Sequence, residues 1–206
     1  MDRREVLKTM PFILGSAIAA PTLLQLLVSC KNETDKNPDT VFLSEGELFV
    51  VNHIADIILP KTQTVGALDV NVPQFIDKVL KEVLTKKEQE MFSKGQNLFH
   101  EKFKAVFKKN TSKGTKSDFL ELVSVYFKVS EDKQKQIFKL LSQPEAQVEN
   151  KDMYYIYKYL TSIRYYTLYG YYTSGRVGLD ILNYNPVPGT YEACIPVSEV
   201  GNSSSI

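Results

Sequence analysis

The chain has 206 residues and a mass of 23.4 kDa, enough for one good-sized domain or two small ones. A hydrophobic share of 43% and a charged share of 24% exclude wholesale disorder, and a net charge of +1 argues against binding a phosphate backbone, so no nucleic-acid partner is expected. Two cysteines cannot form a disulfide scaffold or a four-thiolate zinc site, and two distant histidines leave little for metal or acid–base chemistry.

The first residues, Met1 to Lys8, carry the basic pair Arg3-Arg4 and Lys8, and no charge follows from Thr9 to Ser29. This is the layout of an export signal, a basic segment ahead of an apolar one. The uncharged stretch is 21 residues long, so a spanning helix, which needs about 20 apolar residues, competes with that reading. Pro11, Gly15, Pro21 and Gln25 interrupt the apolar helix that such a span requires. Leu27-Val28-Ser29-Cys30 looks like a lipobox, in which the cysteine thiol receives a diacylglycerol before cleavage on its N-terminal side. Acyl chains contributing ~0.8 kcal/mol per buried CH₂ would then anchor the mature chain without a spanning helix. Arg3-Arg4 followed by Val6-Leu7-Lys8 resembles a twin-arginine signal, although Asp2 and Val6 depart from it, and the general secretory route stays open. Cleavage after residue 29 would leave 22 basic and 22 acidic side chains, a neutral chain.

From Lys31 to Val41 the sequence is polar, so residues 30–43 are expected to be a lipidated cysteine and a flexible tether. Residues 44–200 are expected to form a single all-α domain. Its first helix opens at the capping box Ser44 to Glu47, carries Leu48, Val51, Ile54, Ala55 and Ile58 at helical spacing, and stops at Pro60. A loop with Gly66 follows, and then Val72, Phe75, Ile76, Val79, Leu80, Val83 and Leu84 mark a second helix with Pro73 in its first turn. A second capping box, Thr85 to Glu88, opens a long segment bearing Phe92, Phe99, Phe103 and Phe107. A break at Asn110 to Thr115 leads to a helix over Phe119–Phe127. Ser130 starts a short helix with Ile137, Phe138, Leu140 and Leu141, and another runs from about Asp152 to Tyr169. No period-two alternation is present, so no sheet is expected. The stretch from Asn183, with Pro186, Pro188, Gly189 and Pro196, should be extended and irregular, and residues 201–206 should be a disordered tail.

Catalytic signatures are missing. Gly170, Gly175 and Gly178 lack the spacing and strand context of a dinucleotide loop, and there is no phosphate loop, c-type haem motif or nucleophile elbow. His53 reads as a satisfied histidine on an apolar helix, and His100, on a charged helix, should face solvent. Cys194 reads as a buried, inert thiol, and acidic pairs such as Glu145 and Glu149 read as solvated helix faces. Catalytic, cofactor-binding and metal-binding residues are therefore expected to be none.

Tyrosine is the odd feature of the composition, because nine of the twelve fall between Tyr154 and Tyr172. On a helix they cannot all share one buried face. Tyr155, Tyr159, Tyr166, Tyr171 and Tyr172 are the candidates for a partner interface, since tyrosine joins an apolar body to a polar tip. Tyrosines bonded within the domain are the competing reading.

Two segments resemble a known family. Ile54-Ala55-Asp56-Ile57-Ile58-Leu59-Pro60, Thr64-Val65-Gly66-Ala67 and Val72-Pro73-Gln74-Phe75-Ile76-Asp77 look like the opening motif of the gluconate 2-dehydrogenase subunit 3 family. Gly170-Tyr171-Tyr172-Thr173-Ser174, Leu182-Asn183-Tyr184, Pro186 to Tyr191 and Cys194 look like its closing motif. Val65 stands where the family has proline, and Gly175-Arg176 replaces an acidic residue, so partner contacts in those loops depart from the pattern. The resemblance implies a noncatalytic small subunit without a cofactor of its own. Its large partner would be an FAD-dependent flavoprotein of the glucose–methanol–choline type that oxidises a sugar or polyol, with a cytochrome c as a further partner. The implied location is the bacterial cell envelope, facing the periplasm and attached to the membrane through lipid at Cys30. Lys31 after Cys30, where an inner-membrane retention signal would carry aspartate, leans towards the outer membrane. A free-standing helical envelope lipoprotein that binds a small ligand or another protein is the alternative.

Overall fold

Three helices of this chain start where a hydroxyl side chain meets an acid three residues later. The computed structural model describes residues 40–182 together with 184, 189, 190, 194, 196 and 198. Among these, seven α-helices follow one another: α1 Glu45–Ile58, α2 Val72–Glu82, α3 Lys86–Phe107, α4 Lys116–Phe127, α5 Glu131–Ser142, α6 Lys151–Tyr172 and α7 Gly175–Asp180. Three-residue turns of 3₁₀ helix precede α2, α4 and α6, and no strand occurs among the described residues. The expected all-α class is what the structure shows. The amide of Ser44 donates to Glu47 Oε2 at 2.7 Å, and Thr85 N to Glu88 Oε2 at 2.8 Å. A third box, Thr115 N to Asp118 Oδ2 at 2.6 Å, opens α4 by the same chemistry.

The α6 helix is the hub, packing on α1, α2, α3, α5 and α7, with α3 its most extensive neighbour. The two long helices approach closely because α3 has Gly95 at the crossing. A Cβ there would lie 2.2 Å from the carbonyl oxygen of Tyr155 and 2.7 Å from the Cβ of Tyr159. Around this crossing Phe92, Phe99, Phe103, Phe119 and Tyr159 bury their rings, each worth about 1.5–3 kcal/mol in area removed from water. Tyr159 meets Phe92 edge-on at 4.9 Å and lies 5.6 Å from Phe99.

Departures from the expected pattern have local causes. Val83 caps α2 and is exposed, because the helix ends at Glu82 before that side chain turns inward. The α6 helix continues past Tyr169 to Tyr172, with Gly170 against Phe75, where a Cβ would come within 2.6 Å of the ring. Thr173 Oγ1 then donates to the Tyr169 carbonyl at 2.7 Å. The short α7, which hydrophobic spacing did not signal, starts on Ser174, whose Oγ accepts from Val177 N at 3.3 Å.

Val41 to Leu43, the end of the expected tether, are held against α2 by one side chain. Asp77 is buried, and its carboxylate accepts from Val41 N at 2.7 Å, Phe42 N at 3.0 Å and Leu43 N at 2.7 Å. Leu43 is in the core. Most of the expected extended segment from Asn183, the tail, Cys30, Arg3 and Arg4 lie outside the described residues.

Candidate partner interface

The structure sorts the tyrosines of α6 by helical angle. Tyr159 is fully buried, and the loss of solvent, with a smaller effect from Glu47, pushes its phenol far above the usual range. Tyr155 is buried and donates its hydroxyl to Glu145 Oε1, which raises its pKa and lowers that of Glu145. Tyr171 is buried, and its hydroxyl donates to the carbonyl of Val65 at 2.8 Å. All three pack within the domain, Tyr155 and Tyr171 with their hydroxyls bonded, and present no free ring to a partner. Tyr166 is half-buried, and Tyr172 is exposed.

The exposed row is instead Tyr165, Tyr169 and Tyr172, spaced i, i+4 and i+7, with relative exposures of 60%, 51% and 52%. Tyr165 and Tyr169 stack with 11° between their rings and 6.1 Å between centroids. Tyr169 also lies 6.1 Å from Phe75 of α2. Between Tyr159 and Gly175 the only charged residue is Arg164. Two members of the row, Tyr165 and Tyr169, were not among the expected interface residues. The i, i+4, i+7 spacing could have found them once the buried face of α6 was known.

This surface borders the place where distant parts of the chain meet. The Tyr171 to Val65 bond spans 106 residues, and Gly170 abuts Phe75. The loop between α1 and α2 is braced by Asp69, whose carboxylate accepts from Gly66 N at 2.8 Å and from Lys61 Nζ at 2.9 Å. The amide of Gly66, then Lys61, and more weakly Arg176 of α7 lower the pKa of Asp69. The opening and closing segments thus form one pole, with Leu68 and Leu179 exposed on it. A family model for gluconate 2-dehydrogenase subunit 3 matches residues 45–189, most of the chain.

The chain belongs to the gluconate 2-dehydrogenase subunit 3 family.

Neither the curated proteins nor the solved structures give a match. Membership implies association with a gluconate dehydrogenase complex as an accessory subunit. In this subunit 3 protein Val65 uses its carbonyl as the acceptor for Tyr171, a role that leaves its side-chain identity free.

Other candidate residues are now placed. His53 is half-buried, its Nδ1 lies 2.9 Å from the Phe49 carbonyl, and its ring packs 4.3 Å from Phe49 and 4.8 Å from Phe119. His100 does not face solvent freely as expected: it is half-buried, Nε2 is buried without a partner, and burial lowers its pKa. The reason is register, since His100 follows Phe99 on the edge of the packed face of α3. Cys194 is exposed, contrary to the expected buried thiol. Glu145 is half-buried on Tyr155 with Lys94 at 3.8 Å, so it is not a merely solvated acid. Among the described residues no group of three or more His, Cys, Asp or Glu could hold a metal, and no helix is long and apolar enough to cross a membrane. Gly170 lies on α6, and Gly175 and Gly178 lie on α7.

Proposed function

We propose that this chain is the noncatalytic small subunit that binds, helps export and anchors an FAD-dependent sugar or polyol dehydrogenase of the glucose–methanol–choline type. The observation that carries the reading is the exposed row Tyr165, Tyr169 and Tyr172 beside the pole built by both ends of the domain. Three large rings at about half exposure leave apolar area in water that a monomer would gain by covering. Paired with membership of a family named for a dehydrogenase subunit, this favours a protein partner over a small ligand. In this reading FAD and the chemistry reside on the large subunit, and a cytochrome c takes the electrons.

Residues 1–29 act as the signal, with Arg3-Arg4 selecting the route for folded cargo. Cys30 takes the lipid, and the chain to residue 40 spans the gap to the domain at the periplasmic face, the outer membrane being favoured. A noncovalent flavin requires its protein to be folded before export, which gives a reason for a small subunit to carry the signal for both.

Detergent extraction of the tagged full chain, followed by flavin absorbance of the eluate, tests the central claim. A flavoprotein should co-elute, and Tyr169→Ala combined with Tyr172→Ala should reduce its yield by about tenfold or more. An eluate without flavoprotein would refute it. Cys30→Ala should abolish labelling by radioactive palmitate, and Arg3-Arg4→Lys-Lys should retain both subunits inside the cell; unchanged export of that variant would indicate the general secretory route.

A further inference from the structure

The α5 helix is amphipathic, yet none of its residues is buried. Ile137 and Leu141 are half-buried and pack against the core, and with Phe138 they line an open groove of about 490 Å³ whose other walls are α4 and α6, with Ile57 and Ile58 of α1 also lining it. Phe138 is 69% exposed and Leu120, across the groove on α4, is 46% exposed. Phe138 and Leu120 thus leave apolar area in water that an occupant of the groove would cover.

The charges in this groove have one sign. Lys128, at the C-terminal end of α4, and Arg164 of α6 are the charged residues lining it, and both are exposed. Neither takes part in an ion pair among the described residues. A second groove, lined by α3, α4, α5 and α6, carries Lys102 and Lys133 against Glu121 and Asp152 and so sets no preference of sign. The apolar surface also continues past the groove. Arg164 is followed directly by Tyr165, and Tyr157, Thr161 and Arg164 line the groove on the side of α6 adjoining the exposed tyrosine row. An occupant confined to the groove would leave these rings uncovered, so a macromolecular segment fits better than a small amphiphile.

We propose that the groove between α4, α5 and α6 receives an amphipathic segment of the flavoprotein large subunit, its apolar face on Phe138 and Leu120 and a carboxylate paired with Arg164. This rests on the function proposed above and adds the chemistry of the contact. The mode is a helix or strand laid in a groove, with aliphatic and aromatic anchors supplying area and the guanidinium fixing register.

The test uses the full chain co-expressed with the flavoprotein that co-elutes with it. Arg164→Glu should weaken the complex by at least ~10-fold, whereas Arg164→Lys, which keeps the charge, should retain most of the affinity. Phe138→p-benzoylphenylalanine should photo-crosslink to a large-subunit peptide that holds apolar residues and at least one Asp or Glu. The same probe at the exposed Lys113, outside the groove, should not mark that peptide. Because Arg164 and Phe138 are both exposed, the variants should keep the helical circular dichroism of the parent. A complex that forms with unchanged affinity in Arg164→Glu, or a Phe138 probe that marks no large-subunit peptide, overturns the groove assignment and leaves the subunit function standing. A crosslinked peptide without an acid, or a fatty acid retained by the protein in native mass spectrometry and displaced by Phe138→Asp, also overturns it. No flavoprotein in the eluate of the unsubstituted chain removes both readings together.

Discussion

Replacing Asp77 by alanine would release the residues through which the tether joins the domain. The carboxylate accepts three backbone amides at 2.7, 3.0 and 2.7 Å, and the bond from Leu43 is buried while those from Val41 and Phe42 are partly exposed. In Asp77→Ala the two outer amides can turn to water, and the loss there is about 1 kcal/mol in all. The Leu43 amide has either to stay buried without an acceptor, at about 1–3 kcal/mol, or to leave with its side chain and give up burial worth about 1.5–3 kcal/mol. The expectation is a destabilisation of about 2–4 kcal/mol, with Asp77→Asn, which keeps one acceptor oxygen, losing roughly half as much. Urea unfolding followed by far-ultraviolet circular dichroism measures the stability, and amide hydrogen exchange locates the change. Exchange at residues 41–43 should accelerate by orders of magnitude while the α3–α6 crossing remains protected. A loss below about 0.5 kcal/mol with unchanged exchange at those residues would show that the clasp adds nothing beyond ordinary surface bonding.

Gly95→Ala places a methyl against the Tyr155 carbonyl at the α3–α6 crossing, and should cost about 1–3 kcal/mol, or more if the helices cannot separate; an unchanged melting temperature would argue against the close approach. Tyr159→Phe removes a buried hydroxyl that has no partner, so it should be neutral or stabilise the fold by about 1 kcal/mol, and a large loss in thermal melts would reveal a bond at that oxygen. Asp118, bonded to Lys109 and capping α4 at Thr115, has its pKa lowered from 3.8 to about 2. A carboxyl depressed on folding contributes stability that is complete above its unfolded value and disappears as pH falls through its folded one. Stability should therefore decline between pH 3.8 and 2, and Asp118→Asn should flatten that part of the profile in urea titrations; an identical slope in both proteins would contradict the assignment.

How much was legible in the residues depends on how local the cause is. The starts of α1 and α3 were readable because a capping box is completed within four residues. The box at Thr115 and Asp118 has the same form and opens α4 where Phe119–Phe127 was expected. The all-α class followed from the 3.6-residue spacing of apolar side chains, which needs no knowledge of neighbours. Reading the tyrosine cluster was harder. Its spacing shows that some rings must be exposed, but Tyr155, Tyr159 and Tyr171 versus Tyr165, Tyr169 and Tyr172 is decided by the direction from which α3, α2 and the Val65 loop approach α6.

The sequence by itself determined six of the seven helices described, the starts of α1 and α3, and the resemblance between two segments and a subunit family, because each of these is written in side chains a few positions apart. Tertiary structure alone decided that Asp77 clasps residues 41–43, that Gly95 is the crossing point and that Phe138 is left in solvent beside an unpaired Arg164. Each of these depends on elements tens of residues apart meeting at a few ångströms. Burial and charge pairing are properties of that meeting, and periodicity along one strand of chain carries no record of which face the neighbours will cover.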